Sequence, residues 1–216
     1  MKFKGFAGMD RSGSLGNLPS VIGVVISENK ADIQKCYQSI RKIAVKINPI
    51  FISRGEIKSK DFNAFNSRLS AIKEFEKHKI RFYAFFANRD FFELFKQYKN
   101  YRKYMQKIEA ILWFECLRLS ILNSDINPQV VFLDETFSGD DQEIFISVIR
   151  KLCAERLMFV PVLETVSSRL EDTVKLADLI AGFFKADQKI QEHFGKYKKT
   201  IDVGMIKEYA SRIISK

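Results

Sequence analysis

Short apolar runs alternate with longer amphipathic stretches along the chain. Five of the runs are rich in β-branched or aromatic residues and are bounded by turn formers, which predicts strands. They lie at 2–9, 21–27, 80–87, 129–135 and 157–166. Pro161 in the last run predicts an edge strand or a bulge, because proline cannot donate to a central ladder. The run at 48–53 predicts one more short strand.

Apolar residues at helical spacing fill the stretches between these runs. They predict helices over 30–46, about 59–79, 90–122, 138–156, from 172 onward and over 204–214. The first three strands predict an antiparallel meander, whereas the later strand–helix–strand units require parallel pairing. The expected α/β fold has the ribonuclease H-like order, parts of which other α/β folds share. It is a five-stranded mixed sheet with helices on both faces and a helical insertion after the second strand.

The domain organisation follows from the same pattern. No linker rich in Pro, Gly or Ser divides the chain. We therefore predict one ribonuclease H-like domain over 1–188, with the helical insertion at about 30–79. Residues 189–216 are polar and basic and are predicted to form a C-terminal tail.

The charge balance points to a class of partner. The 216 residues include 36 Lys and Arg against 26 Asp and Glu, a net charge of +10. Such an excess favours a polyanion, nucleic acid before an anionic membrane surface. No apolar run approaches the ~20 residues of a membrane span, and no membrane partner is predicted. The three cysteines are isolated, which argues against a disulfide scaffold and favours a reducing cytoplasm.

Few residue types in this chain are candidates for catalysis. The only two histidines, His78 and His193, lie in charged stretches typical of solvated surface. The chain has no CxxC motif, no GxSxG nucleophile elbow and no glycine-rich phosphate loop. Three-His and thiolate zinc sites are thereby excluded, and carboxylates are expected to carry any chemistry.

Three aspartates stand out by position. Asp10 follows the first apolar run, Asp134 ends the run VVFLD, and Asp178 lies in the apolar helix KLADLIAGFF. Carboxylates that converge at strand ends repel each other unless cations bind between them. Mg²⁺ and Mn²⁺ prefer such oxygen ligands, and two ions ~3.5–4 Å apart would activate water against a phosphodiester. The alternative for Asp10 and Asp134 is a turn former or helix cap.

Three segments of the chain also resemble a known family. MDRSGS, VVFLDE and SSRLEDTVKLADLIAG are similar to the signature segments of the family called domain of unknown function 3800. That family is similar to ribonuclease H-like nucleases in fold, and the resemblance spans 8–182 in the right order. It implies that Asp10, Asp134 and Asp178 are catalytic, metal-binding acids.

A fourth acid is implied by a weaker element of the same resemblance. GEIK (55–58) resembles the family's central E-L-K element, which implies Glu56 as a catalytic acid and Lys58 as its basic neighbour. The chain departs from the family pattern at Arg11, where Glu is usual, and at Lys175, where Gln is usual. It also lacks the His that often precedes the central element.

Two acids on the predicted long helix are rivals for the role of Glu56. They are Glu109 and Glu115, and either could supply the fourth carboxylate. The alternative, which we favour, is that both are ordinary residues of the helix surface.

Basic residues interleaved with tyrosines mark a candidate nucleic-acid surface. Lys99, Arg102 and Lys103 lie in the acid-free segment KQYKNYRKYMQK (96–107), a composition that suits phosphates and unstacked bases. The alternative is a solvated helix face whose tyrosines pack inward. A second basic run surrounds Glu56 at 41–60, and Lys58 within it is a further candidate.

These observations favour a Mg²⁺- or Mn²⁺-dependent nuclease, or nuclease-like phosphodiesterase, that hydrolyses nucleic acid with two metal ions. The main rival is a non-catalytic nucleic-acid-binding protein on the same scaffold. A third alternative is an interaction module that forms a homodimer through its Phe-rich helices. Metal binding separates the first function from the others, and salt-sensitive nucleic-acid binding separates the second from the third.

Overall fold

The computed structural model describes residues 4–13, 20–53, 56–87, 91, 93, 96, 104–157, 159–167 and 169–214. The strands of this part of the chain are β1 (Phe6–Ser12), β2 (Ser20–Ser27), β3 (Arg81–Ala87), β4 (Val130–Asp134), β5 (Val162–Val166) and β6 (Lys198–Thr200). The α-helices are α1 (Lys30–Ile47), α2 (Phe65–Lys77), α3 (Met105–Ser124), α4 (Asp140–Arg156), α5 (Asp172–Ala186), α6 (Gln188–His193) and α7 (Val203–Ile214). Short 3₁₀ helices span Pro49–Ile52, Ser59–Asp61 and Gly195–Tyr197.

The strands form one mixed sheet in the order β5-β4-β1-β2-β3-β6. β1, β2 and β3 form the predicted antiparallel meander, and β4 and β5 continue the sheet in parallel from β1. The prediction of five strands is wrong by one, because β6 pairs in parallel with β3. β6 is the short polar segment KKT inside the predicted basic tail, so no apolar run marks it as a strand.

Helices cover both faces of the sheet. Alternate side chains of β2 show the division, since Val21 and Val25 face one hydrophobic core while Ile22 and Val24 face the other. The first core is formed with α1, α2 and α5, and the second with α3, α4 and α7. Every residue of β2 is buried, as its uninterrupted apolar run indicates.

Several predicted elements differ in their bounds or type, and the last predicted strand, 157–166, is shorter, because β5 spans Val162–Val166. The run 48–53 forms the 3₁₀ helix Pro49–Ile52 rather than a strand, because the Asn48 side chain accepts a hydrogen bond from the Ile50 N–H at 3.1 Å and caps a turn. The helix expected from about residue 59 begins at Phe65, after the separate 3₁₀ helix Ser59–Asp61. Within the stretch 90–122, which is predicted to form one long helix, the described residues 91, 93 and 96 are helical, and α3 spans Met105–Ser124.

Glycines let α5 approach the sheet closely. A Cβ atom at Gly8 of β1 would lie 2.5 Å from the carbonyl oxygen of Thr173, and one at Gly23 of β2 would lie 2.1 Å from that of Ala177. Because neither strand position carries a side chain, the backbone of α5 packs directly on β1 and β2. This contact fixes the short distance between α5 and β1, the strand that carries Asp10.

Candidate metal centre

Asp10 and Asp134 lie side by side on neighbouring parallel strands. Met9 of β1 pairs with Leu133 of β4, and each aspartate is the next residue in its strand. Side chains alternate along a strand, so residues in register point to the same face. For Asp10 this is the face of Gly8, and therefore the face that α5 covers. The two aspartates thus share one face of the sheet.

Asp178 reaches this place from α5. The small residue Ala177 lies against Gly23 of the sheet, and Asp178 follows it on the helix. Its Oδ2 atom lies 3.2 Å from the Nζ of Lys58, in the segment that leads into the second 3₁₀ helix. Gly182, one turn further along α5, packs on Ser59 of that 3₁₀ helix. The motif ADLIAG (177–182) therefore contacts the sheet through Ala177 and the 3₁₀ helix through Gly182.

Glu56 belongs to the same cluster. Its Oε1 atom lies 2.6 Å from the Nζ of Lys58, so Lys58 pairs with Glu56 and Asp178 together. Backbone contacts hold the segment in place, because the Ile57 N–H donates to the Tyr37 hydroxyl at 3.4 Å and the Lys58 N–H donates to the Asp61 carboxylate at 2.8 Å. The segment GEIK (55–58), which has the weaker resemblance to the family, thus lies beside Asp178.

Burial and the charges of neighbouring acids disfavour the charged forms of Asp10 and Asp178. Asp10 is only 6% exposed, and burial, then the charges of Asp134 and Asp178, raise its pKa from 3.8 to about 8. A hydrogen bond from the Arg11 N–H and the charge of Lys58 oppose this shift. Burial also raises the pKa of Asp178, against the opposing effect of Lys58. A cation bound here would relieve both effects.

The pKa of Lys58 is raised, whereas burial alone lowers the pKa of a lysine. Burial lowers the pKa of its ammonium, but the contact with Glu56 and the charge of Asp178 outweigh burial and raise the pKa above 10.5. Lys58 is therefore charged throughout the physiological range.

The donor set suits a hard divalent ion. All four acids offer oxygen ligands, and Oε1 of Glu56 and Oδ2 of Asp178 are buried atoms that face the Lys58 ammonium. Among the residues that the structure describes, no group of three or more Asp, Glu, His or Cys side chains is arranged to hold an ion. Mg²⁺ is commonly bound through only one or two carboxylates, with water and substrate phosphates completing its shell. Asp10 and Asp134 fit that pattern.

The two rival acids of the long helix lie away from the cluster. Glu109 pairs with Arg11, which follows Asp10 in β1 and so points to the opposite face of the sheet. Glu115 forms two hydrogen bonds with Arg118, at 2.7 and 2.8 Å. The expectation that Glu109 and Glu115 lie on the helix surface is wrong, since they are only 4% and 1% exposed. The i,i+3 spacing of Glu115 and Arg118 in an apolar helix was the available sequence signal for one of these pairs.

The basic candidates divide into two groups. Lys58 lies inside the acid cluster, with 36% of its side chain exposed. Lys99, Arg102 and Lys103 lie outside the described residues. Lys175, the departure from the family pattern in α5, is buried and pairs with Asp172 at 2.7 Å. Lys175 thus has a structural partner of its own on α5.

Comparison with solved structures defines the class of fold. The chain resembles ribonuclease HII of Archaeoglobus fulgidus, solved in complex with PCNA, with a TM-score of 0.53 and 15% identity over 88% of this chain and 77% of that one. It also resembles ribonuclease H2 of Pyrococcus horikoshii OT3, with a TM-score of 0.55 and 18% identity over 89% of this chain and 77% of that one. At these identities the likeness shows the fold alone, which is ribonuclease H-like.

Sequence comparison adds no narrower assignment. No protein-family model matches the chain, and no curated protein matches it. The resemblance to domain of unknown function 3800 therefore rests on the motifs quoted above. Within the described part of the chain, no helix has the length and apolar character needed to cross a membrane.

Proposed function

We propose that this protein is a divalent-metal-dependent nuclease that hydrolyses phosphodiester bonds of nucleic acid, with Mg²⁺ or Mn²⁺ as its cofactor. The observation that carries the proposal is the burial of Asp10 on the face that Asp134 and Asp178 share, which raises its pKa to about 8. A carboxylate that is buried beside other carboxylates does not stabilise the fold unless a cation binds to it.

Each acid of the cluster has its own role in this proposal. Asp10 and Asp134 hold the metal, because they stand in register on two paired strands whose backbone is fixed by the sheet. Asp178 and Glu56 complete the acid cluster on the side of α5. A divalent ion held there would lower the pKa of a bound water and stabilise the leaving oxygen of the phosphodiester. The chain itself supplies no histidine base at this site, since neither His78 nor His193 contributes to the cluster.

The charge of the whole chain supports nucleic acid as the substrate. With a net charge of +10, the protein attracts polyanions, while the acid cluster is a local exception that attracts cations. The altered residue Arg11 does not argue against catalysis, because its partner Glu109 lies on the other face of the sheet.

The test compares Asp134→Asn with Asp140→Asn, which changes an exposed acid in the first turn of α4. We expect wild type and Asp140→Asn to gain thermal stability on addition of Mn²⁺, and Asp134→Asn to gain none. Without metal, Asp134→Asn should hold or raise the melting temperature, because it relieves repulsion at Asp10.

Activity is measured on the same three proteins. Cleavage of labelled single- and double-stranded DNA and RNA with Mn²⁺ should be lost in Asp134→Asn and kept in Asp140→Asn. A variant Asp134→Asn that is destabilised yet still shifted by Mn²⁺ would contradict the metal site. Nucleic-acid binding by a wild type that neither binds Mn²⁺ nor cleaves would favour the non-catalytic alternative.

A further inference from the structure

Lys58 stands between two acids of the cluster. Its Nζ lies 2.6 Å from Oε1 of Glu56 and 3.2 Å from Oδ2 of Asp178. Both oxygens are buried, and the Lys58 ammonium is the charge that offsets them. An ammonium donates hydrogen bonds to oxygen atoms at about 2.7–2.9 Å, whereas Mg²⁺ binds its oxygen ligands at about 2.0–2.1 Å, so both cations can be surrounded by carboxylate oxygens.

The position of this ammonium is set by its backbone. The Lys58 N–H donates to the Asp61 carboxylate at 2.8 Å, and the neighbouring Ile57 N–H donates to the Tyr37 hydroxyl at 3.4 Å. The 3₁₀ helix that follows packs through Ser59 on Gly182 of α5. Lys58 is thus anchored on the element that carries Asp178 and is not a mobile surface lysine.

A second divalent ion would need the oxygens that Lys58 already holds. Two-metal sites place their ions ~3.5–4 Å apart, with carboxylates on both. Asp10 and Asp134 can serve a first ion, which leaves Glu56 and Asp178 for a second. With the ammonium between them, a further double charge would be repelled at short range.

We infer that Lys58 takes the place of the second cation, so that the centre binds one divalent ion beside a built-in ammonium. The inference rests on the proposed function and replaces the two ions expected from the sequence. Lys58 is a positioning residue, because it holds Glu56 and Asp178 apart from the ion at Asp10 and Asp134.

The experiment counts bound ions directly. Isothermal titration and electron paramagnetic resonance with MnCl₂ are carried out on wild type, Lys58→Met and Lys58→Gln, with no nucleic acid present. We expect one Mn²⁺ per wild-type chain and two per chain in both variants, with a spin-coupled signal from the pair. The Mn²⁺-induced rise in melting temperature should also be larger in the variants, because the metal then offsets Glu56 and Asp178.

Two control variants separate this role from general charge. Lys60→Met removes the next, exposed lysine and should still bind one ion. Lys58→Arg keeps a positive charge at the site and should also bind one ion. Melting curves and circular dichroism of each variant establish that it is folded before its ions are counted.

The outcomes distinguish the two proposals. Two ions in wild type would overturn the inference and leave the proposed function standing. One ion in wild type and one in both Lys58 variants would also overturn the inference. No ion in wild type or in any variant would overturn the inference and the proposed metal-dependent function together.

Discussion

At the scale of single residues, Asp10 makes the stability of the metal-free protein depend on pH. Its pKa is raised from 3.8 to about 8, first by burial and then by Asp134 and Asp178. Between these values the unfolded chain has lost the proton that the folded chain still binds. The free energy of unfolding therefore falls as the pH rises from about 4 to about 8.

The substitution Asp10→Asn removes this titration. We expect the metal-free melting temperature of wild type to fall between about pH 5 and about pH 8, and that of Asp10→Asn to fall less. Some dependence should persist in the variant, because burial also raises the pKa of Asp178. Saturating Mn²⁺ should reduce the fall in wild type. Parallel pH profiles for the two proteins, measured by thermal denaturation in chelator, would show that Asp10 is not the group concerned.

The acids differ in how far the sequence could predict them. Asp10, Asp134 and Asp178 were selected because each stands next to strongly apolar residues, a local property that the sequence displays. The apolar spacing of their helix does not predict the burial of Glu109 and Glu115, although Arg118 at i,i+3 is a local signal for Glu115. Burial of Glu109 depends on Arg11, far away in the sequence, and periodicity carries no information about such a pair.

At the scale of elements, the cluster depends on how α5 contacts the segment of Glu56 and Lys58. The sequence predicted α5 correctly from its apolar spacing, and the strands before it from their apolar runs. It did not predict that Gly182 packs on Ser59, because this contact joins elements from distant parts of the chain. It also missed β6, whose polar residues pair through the backbone alone.

The substitution Gly182→Ala tests this contact. A Cβ atom at Gly182 would lie 2.0 Å from Oγ of Ser59, so the 3₁₀ helix must move. We expect a loss of about 1–3 kcal/mol in the free energy of unfolding, reduced by the better helix propensity of alanine. Mn²⁺ affinity should fall as well, because Glu56 and Lys58 move with Ser59. Urea denaturation and Mn²⁺ titration measure the two effects.

Two further variants decide whether the Ser59 side chain is the cause. Gly195→Ala is the matched control, since a Cβ atom at Gly195 meets nothing within 4 Å, and it should change stability by less than about 0.5 kcal/mol. Ser59→Gly removes the side chain that Gly182→Ala would strike. The double variant should regain Mn²⁺ affinity relative to Gly182→Ala; if it does not, the contact does not position the cluster.

At the scale of the whole molecule, the positive charge has two candidate surfaces. One is formed on α1 by Arg41, Lys42 and Lys46, which line a groove of about 440 Å³ together with Ile52. Tyr37 of the same helix contacts the segment of the candidate metal centre, because its hydroxyl accepts a hydrogen bond from the N–H of the residue after Glu56. The other is the segment 96–107 with its tyrosines. Fold likeness to ribonuclease HII does not choose between them.

Salt dependence of nucleic-acid binding decides which surface contacts the phosphates. Replacing Lys99, Arg102 and Lys103 with Gln should reduce the slope of log K against log salt by about 2–3, at roughly 0.7–0.9 for each lost phosphate contact. Single- and double-stranded ligands should weaken about equally, because phosphate contacts carry no sequence information. The matched control replaces the three basic residues of the α1 groove with Gln, which removes the same charge, and should keep the wild-type slope. The reverse result would move the nucleic-acid surface to α1, beside the metal centre, and a wild type without salt-dependent binding would leave only the interaction module.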